Sequence, residues 1–125
     1  MAGLTLDSGA LIAAERRNRR VWAFLNRAHQ LDARVTVPSV VLAQAWRGND
    51  PLIARLLKGC EIEVFGEARA KAVGNLLAKS GTSDIVDATV VLGAAKRGDT
   101  VVTSDPTDLL ALAEATHTRL EILRV

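Results

Sequence analysis

The sequence predicts an α/β domain with a mostly parallel central sheet of four to five strands and helices on both faces. Three observations carry that prediction. Short β-branched or leucine-containing runs alternate with helical stretches along the whole chain, and the connections between successive runs are too long for simple hairpins. Two of the strand-like runs also end on an aspartate just where a helix begins, the edge at which α/β sheets carry ligands. With 125 residues and 49% hydrophobic content, the chain is expected to form one domain, residues 1–125, around one core.

Leu4-Thr5-Leu6 is a short strand that stops at Asp7-Ser8-Gly9, so Asp7 stands at a strand's carboxyl end. Ala10 to Glu15 reads as a helix, and a second runs from about Arg19 to Gln30 with Val21, Trp22, Phe24 and Leu25 inward. Arg34 to Val37 is a strand closed by Pro38. Pro38 or Ser39 then starts a helix from Val40 to Arg47, because proline suits a first helical turn, and Gly48-Asn49-Asp50-Pro51 ends it and opens another through Lys58. Glu61 to Phe65 alternates as a strand does, and Glu67 to Lys79 is amphipathic and helical, ended by Gly81. Asp84 to Arg97 is a largely apolar helix stopped by Gly98, followed by the strand Thr100 to Thr103, which runs into Ser104-Asp105-Pro106. Asp108 to Thr116 is a helix and Leu120 to Leu123 a last strand. No repeat, linker or low-complexity segment interrupts this order.

Composition narrows the function only mildly. Sixteen Lys and Arg against 14 Asp and Glu give a net charge of +2, a weak pointer to nucleic acid, although Arg16, Arg17, Arg19 and Arg20 crowd together. That cluster reads either as a solvated helix face or as a set of phosphate contacts. Cys60 has no partner for a disulfide and is expected to be a buried, reduced thiol. No stretch approaches the roughly 18 apolar residues of a membrane span, and Met1-Ala2-Gly3 leads into a strand without a leader pattern, so a soluble cytoplasmic protein is expected. Trp22 and Trp46 are expected in the core or an interface, and His29 and His117 lack ligand-like spacing.

The acids carry more. Asp84 and Asp87 head an apolar helix, and at about 100° per residue they lie within roughly 60° of each other on one face. Ionised carboxylates there need an opposite charge or a cation. In a parallel sheet Asp7 and Asp105 emerge at the same edge, and the start of the Asp84 helix can join them. Asp7, Asp84, Asp87 and Asp105 would then form an oxygen-only ligand set, suited to Mg²⁺ or Mn²⁺ rather than zinc and to phosphoryl chemistry. Each has a plainer alternative: Asp7 as a helix N-cap, Asp84 as a satisfier of first-turn amides, Asp87 as the partner of a buried arginine, and Asp105 as a turn residue. Asp108 reads as a capping residue.

With these residues laid out, the chain resembles the PIN-domain ribonucleases and, more narrowly, the VapC-type toxins of bacterial toxin–antitoxin pairs. The resemblance rests on Leu6-Asp7-Ser8-Gly9-Ala10-Leu11-Ile12-Ala13, Val37-Pro38-Ser39-Val40-Val41-Leu42-Ala43-Gln44-Ala45-Trp46-Arg47-Gly48, Asp84-Ile85-Val86-Asp87-Ala88 and Val102-Thr103-Ser104-Asp105, in that order. It implies a PIN-like domain and a Mg²⁺- or Mn²⁺-dependent endonuclease that cleaves RNA to a 5′-phosphate and a 3′-hydroxyl. It also implies a VapB-type antitoxin as partner, a homodimer, and Asp7, Asp87 and Asp105 at the family's three aspartate positions. Gln44 stands where the family usually has glutamate, and a neutral amide can hold water or ligate weakly but adds no charge. Asp84, one turn before Asp87, is placed to replace that charge, while Gln44 and Thr103 or Ser104 would position water and phosphate. The competing expectation is a catalytically weakened RNA- or partner-binding module. An aspartyl-phosphate phosphatase or receiver fits poorly, because Gly9 stands where the phosphatase pattern wants a second aspartate.

Overall fold

The computed structural model describes residues 3–125; the leaderless start read at Met1 and Ala2 lies outside them. Its elements, in chain order, are β1 (Leu4–Leu6), α1 (Ser8–Glu15), α2 (Arg19–Gln30), β2 (Val35–Pro38), α3 (Ser39–Ala45), α4 (Pro51–Leu57), β3 (Glu61–Glu63), α5 (Glu67–Ser80), α6 (Ile85–Arg97), β4 (Thr100–Thr103), α7 (Thr107–Ala115) and β5 (Glu121–Arg124). The strands form one sheet in the order β3-β2-β1-β4-β5. Every pairing is parallel, so the expected mostly parallel sheet is wholly parallel.

The departures from expectation are local and physical. The strand read from Glu61 to Phe65 stops at Glu63, because its neighbour β2 ends at Pro38, and the Phe65 amide turns instead to Ser39 Oγ at 3.1 Å. Pro38 does not close β2 from outside but is its last paired residue, opposite Glu63. The helix expected from Val40 to Arg47 is shorter, since Trp46 has extended backbone and Arg47 donates its amide to the Asp50 carboxylate. Helix α1 begins two residues earlier than read, at Ser8, because Asp7 caps it, and α7 begins at Thr107.

Strand β1 lies at the centre, between β2 and β4. Its pleat sends Thr5 to the side where Arg97 of α6 donates to its hydroxyl, and Leu4 and Leu6 to the opposite face. Helix α1 packs against α2, α3 and α4, and α6 against α5 and α7, so the two groups of helices cover the sheet. The core is built from Leu6, Leu11, Val21, Val37, Val90, Val91, Val101 and Leu109, all buried. Val91 and Ala94 are buried on α6, whereas Ala95 is exposed. Gly98 closes α6 in the left-handed conformation (φ 71°), which lets Thr100 enter β4 at once. Cys60 is half-buried rather than buried. Its thiol donates to the Leu56 carbonyl, and burial pushes its pKa up to about 11, keeping it protonated. Among the described residues no helix is long and apolar enough to cross a membrane.

A candidate acidic site at the carboxyl edge of the sheet

Because β1 and β4 are parallel neighbours with Leu6 opposite Val102, the chain leaves both strands at one edge of the sheet. Asp7 follows β1 directly, its amide donating to the Val102 carbonyl at 3.2 Å. It is 8% exposed, and its Oδ1 accepts the Ala10 amide at 2.9 Å, so the same side chain that faces the site caps α1. Burial raises its pKa above the ordinary aspartate value and the nearby Asp105 adds to this, against the opposing pull of the Thr103 hydroxyl and the Gly9 and Ala10 amides.

Gly9 matters here for a packing reason. A Cβ at this position would lie 2.3 Å from Ser104 Oγ, 3.2 Å from the Ser104 amide nitrogen and 3.3 Å from Asp7 Oδ1. The absence of a side chain lets the start of α1 meet the end of β4, and so brings Asp7 toward Asp105. Asp105 itself is exposed, and its Oδ1 accepts the Thr107 amide at 3.1 Å. That hydrogen bond, helped by Arg124, holds its carboxyl below the ordinary value. It therefore has the turn role expected as its plainer alternative, at the edge expected for the site.

Helix α6 brings the other acids. Asp84 is its N-cap, and Oδ1 accepts the Asp87 amide at 2.9 Å. Asp87 is half-buried in the first turn, and burial first, then Asp84, Asp108 and Asp7, push its pKa up to about 6. Among the described residues no lysine or arginine pairs with Asp87, which removes the buried-arginine alternative for it. Asp108, read from sequence as a capping residue only, lines a pocket of about 380 Å³ with Thr82, Ser83, Asp84 and Asp87. Its signal was its place in the first turn of α7, three residues after Asp105, but its use depends on α7 packing beside α6.

The acids expected to converge thus share one edge, and Asp87 feels Asp7, Asp84 and Asp108 at once. The donors are all carboxylate oxygens, and a positive ion would offset the burial and the repulsion that raise Asp7 and Asp87, so their chemistry fits a hard divalent cation. Their arrangement is open, for among the described residues no three acids, histidines or cysteines are grouped closely enough to hold an ion. Gln44 lies exposed on α3, and α3 packs against α6.

Away from this edge, Arg16, Arg17, Arg19 and Arg20 are exposed and, among the described residues, form no ion pair. Arg17 and Arg55 flank a groove between α2 and α4, with Arg55 6.0 Å from the centre of the Trp22 ring. Trp22 is half-buried and donates from its indole nitrogen to the Ala14 carbonyl, whereas Trp46 is 37% exposed. His29 and His117 are exposed.

No family model matches the chain, and no curated protein does. Solved structures do match in fold. VapBC2 from Rickettsia felis, bound to a DNA fragment from its promoter, aligns with a TM-score of 0.70 at 15% identity, covering 98% of this chain and 98% of the other. DNA-bound VapBC from Salmonella typhimurium gives 0.68 at 17% identity, over 99% and 98%. FitAcB from Neisseria gonorrhoeae gives 0.65 at 18% identity, over 97% and 96%. The fold is the PIN-like α/β domain that the sequence resemblance implied.

Proposed function

We propose that this chain is a divalent-cation-dependent endoribonuclease and the toxin of a toxin–antitoxin pair. The observation that carries the reading is Asp87: a half-buried carboxylate with its pKa pushed up to about 6, facing three other acids and paired with no basic residue among those described. Leaving it so costs folding free energy, which points to a ligand-binding rather than a packing role. Asp7, Asp87 and Asp105, with Asp84 and Asp108 beside them, would hold Mg²⁺ or Mn²⁺. The bound ion would supply polarisation of a phosphodiester and a lowered pKa for an attacking water.

The chain's own residues do the rest. The Ala10 amide locks the Asp7 carboxylate at the strand end, and Asp84 ties down the first turn from which Asp87 projects. Thr103 Oγ1 accepts the Asp105 amide at 3.1 Å and so holds the turn on the far side. Gln44 and the exposed Ser104 are available to hydrogen-bond water and phosphate oxygen. RNA is the substrate the resemblance implies, with cleavage to a 5′-phosphate and a 3′-hydroxyl. Exposed Ile12 on α1 and Leu31 after α2 suit docking of an antitoxin and of a second copy of the chain. The likeness to VapBC and FitAcB chains supports the same reading.

The test is cleavage of total RNA with Mg²⁺ or Mn²⁺, in parallel with EDTA and with Asp7→Ala. Cleavage lost in both controls supports the proposal, and cleavage unchanged by both refutes it. The neutral Gln44 favours one second reading, a partner-binding module with the fold but not the reaction. Inactive wild type with active Gln44→Glu would select that reading.

A further inference from the structure

Helix α6 is anchored at its other end by a largely buried ion network, with Asp99 buried and Glu63, Arg69 and Arg97 partly so, that the acidic site does not use. Arg97, its last residue, donates from Nε to Asp99 Oδ2 at 2.8 Å, from Nη2 to Thr5 Oγ1 at 2.9 Å, and from Nη1 to Glu63 Oε2. Thr5 Oγ1 donates a hydrogen bond to Asp99 Oδ2 at 2.8 Å, and Arg69 of α5 donates to the same Glu63 oxygen at 2.9 Å. The Asp99 side chain is 5% exposed, that of Glu63 13%, and those of both arginines 19%. Two cations and two anions leave the seam neutral.

Such a seam is a poor source of stability. Desolvating four ions offsets most of their attraction. Among the described residues Thr36 Oγ1, beside Thr5 in the sheet register, has no hydrogen-bond partner, and neither do Glu63 Oε1 and Arg69 Nη1. What the network does supply is geometry. The planar guanidinium of Arg97 reaches three acceptors on β1, on β3 and in the turn between α6 and β4, so it fixes α6 along and around its axis. Gly93 leaves room for this, since a Cβ there would come within 3.0 Å of both Arg97 Nη2 and Glu63 Oε1.

The two ends of this clamp lead to the acidic site. Thr5 stands two residues before Asp7 on β1, and Asp87 sits on the first turn of the rigid helix that Arg97 ends, about 15 Å away at 1.5 Å per residue. The geometry points to Arg97 as a positioning residue: by holding α6 in register on β1, it sets Asp87 against Asp7 for a divalent cation. This rests on the nuclease reading above. Hard cations accept oxygens within narrow distances, and losing residues that support metal ligands typically weakens binding by about 10- to 100-fold.

The experiment titrates the full chain with Mn²⁺ in a calorimeter, measures its melting temperature in EDTA, and determines kcat and KM for RNA. Arg97→Met/Asp99→Asn removes one charge of each sign and leaves the Glu63–Arg69 pair intact. Gly93→Ala keeps every charge and crowds the network instead. The expected result is a Kd for Mn²⁺ raised at least about tenfold, a melting temperature within about 5 °C of wild type, and a loss in kcat rather than in KM. Wild-type Mn²⁺ affinity in either folded variant overturns the inference, and Gly93→Ala decides if the double variant does not fold. A wild-type chain that binds no Mn²⁺ overturns the nuclease reading and this inference with it.

Discussion

Replacing Asp87 by asparagine should stabilise the metal-free protein at neutral pH and above, but not in acid. The Asp87 carboxyl has an ordinary value of 3.8, and burial with the surrounding acids pushes it up to about 6 in the fold. A carboxyl raised in this way binds its proton more tightly when folded, so folding is favoured at low pH. As pH rises from about 4 through 6, ionising Asp87 withdraws that contribution, and above about 6 the whole cost is present. At about 1.4 kcal/mol per pH unit the interval corresponds to roughly 3 kcal/mol, and half-burial with solvent screening reduces this to about 1–2 kcal/mol. For 125 residues the unfolding entropy is about 0.26 kcal/mol/K, so Asp87→Asn should raise the melting temperature by about 4–8 °C at pH 7.5. Asparagine keeps the backbone amide that Asp84 accepts, so the cap survives. Circular dichroism melts in EDTA from pH 4 to 8 measure the effect. The gain should vanish near pH 4, and saturating Mn²⁺ should stabilise wild type more than the variant. No gain at pH 7.5, or an equal gain at pH 4, would refute the electrostatic account of Asp87.

Three further outcomes are expected. Asp84→Asn preserves the N-cap but removes a charge, so stability to urea should change by less than about 0.5 kcal/mol while Mn²⁺ binding weakens; unchanged binding would make Asp84 a cap alone. Gly9→Ala should destabilise the fold by about 1–3 kcal/mol, read as a lower urea midpoint, because its Cβ would meet both Ser104 and Asp7. Gln44→Glu should strengthen Mn²⁺ binding in calorimetric titration, and identical affinity would show that residue 44 on α3 stays clear of the acids.

The order of strands and helices was legible because it rests on short-range signals: β-branched runs, helical periodicity, and the glycines and prolines that bound them. The parallel arrangement followed from connections too long for hairpins. That placed Asp7 and Asp105 on one edge, since Asp7 follows β1 directly and Asp105 follows β4 after Ser104 alone. Asp84 was legible both as a cap and as a neighbour of Asp87, because an intrahelical spacing of three is a local fact. The end of β3 was not legible. Its alternation continues to Phe65, but strand pairing needs a partner, and β2 has already run out at Pro38.

Three matters belonged to tertiary structure alone. Asp108 enters the acidic pocket because α7 lies beside the start of α6. The lack of a basic partner for Asp87 among the described residues depends on which elements pack over it. The Arg97 network joins Thr5 to Asp99 across 94 positions and Arg97 to Glu63 across 34. Sequence determined the elements, the sheet edge and most of the acids, because propensity and capping act over a few neighbouring residues. Only the fold decided which of those acids meet and what holds them in register, because electrostatic and packing forces act between groups close in space, however far apart along the chain.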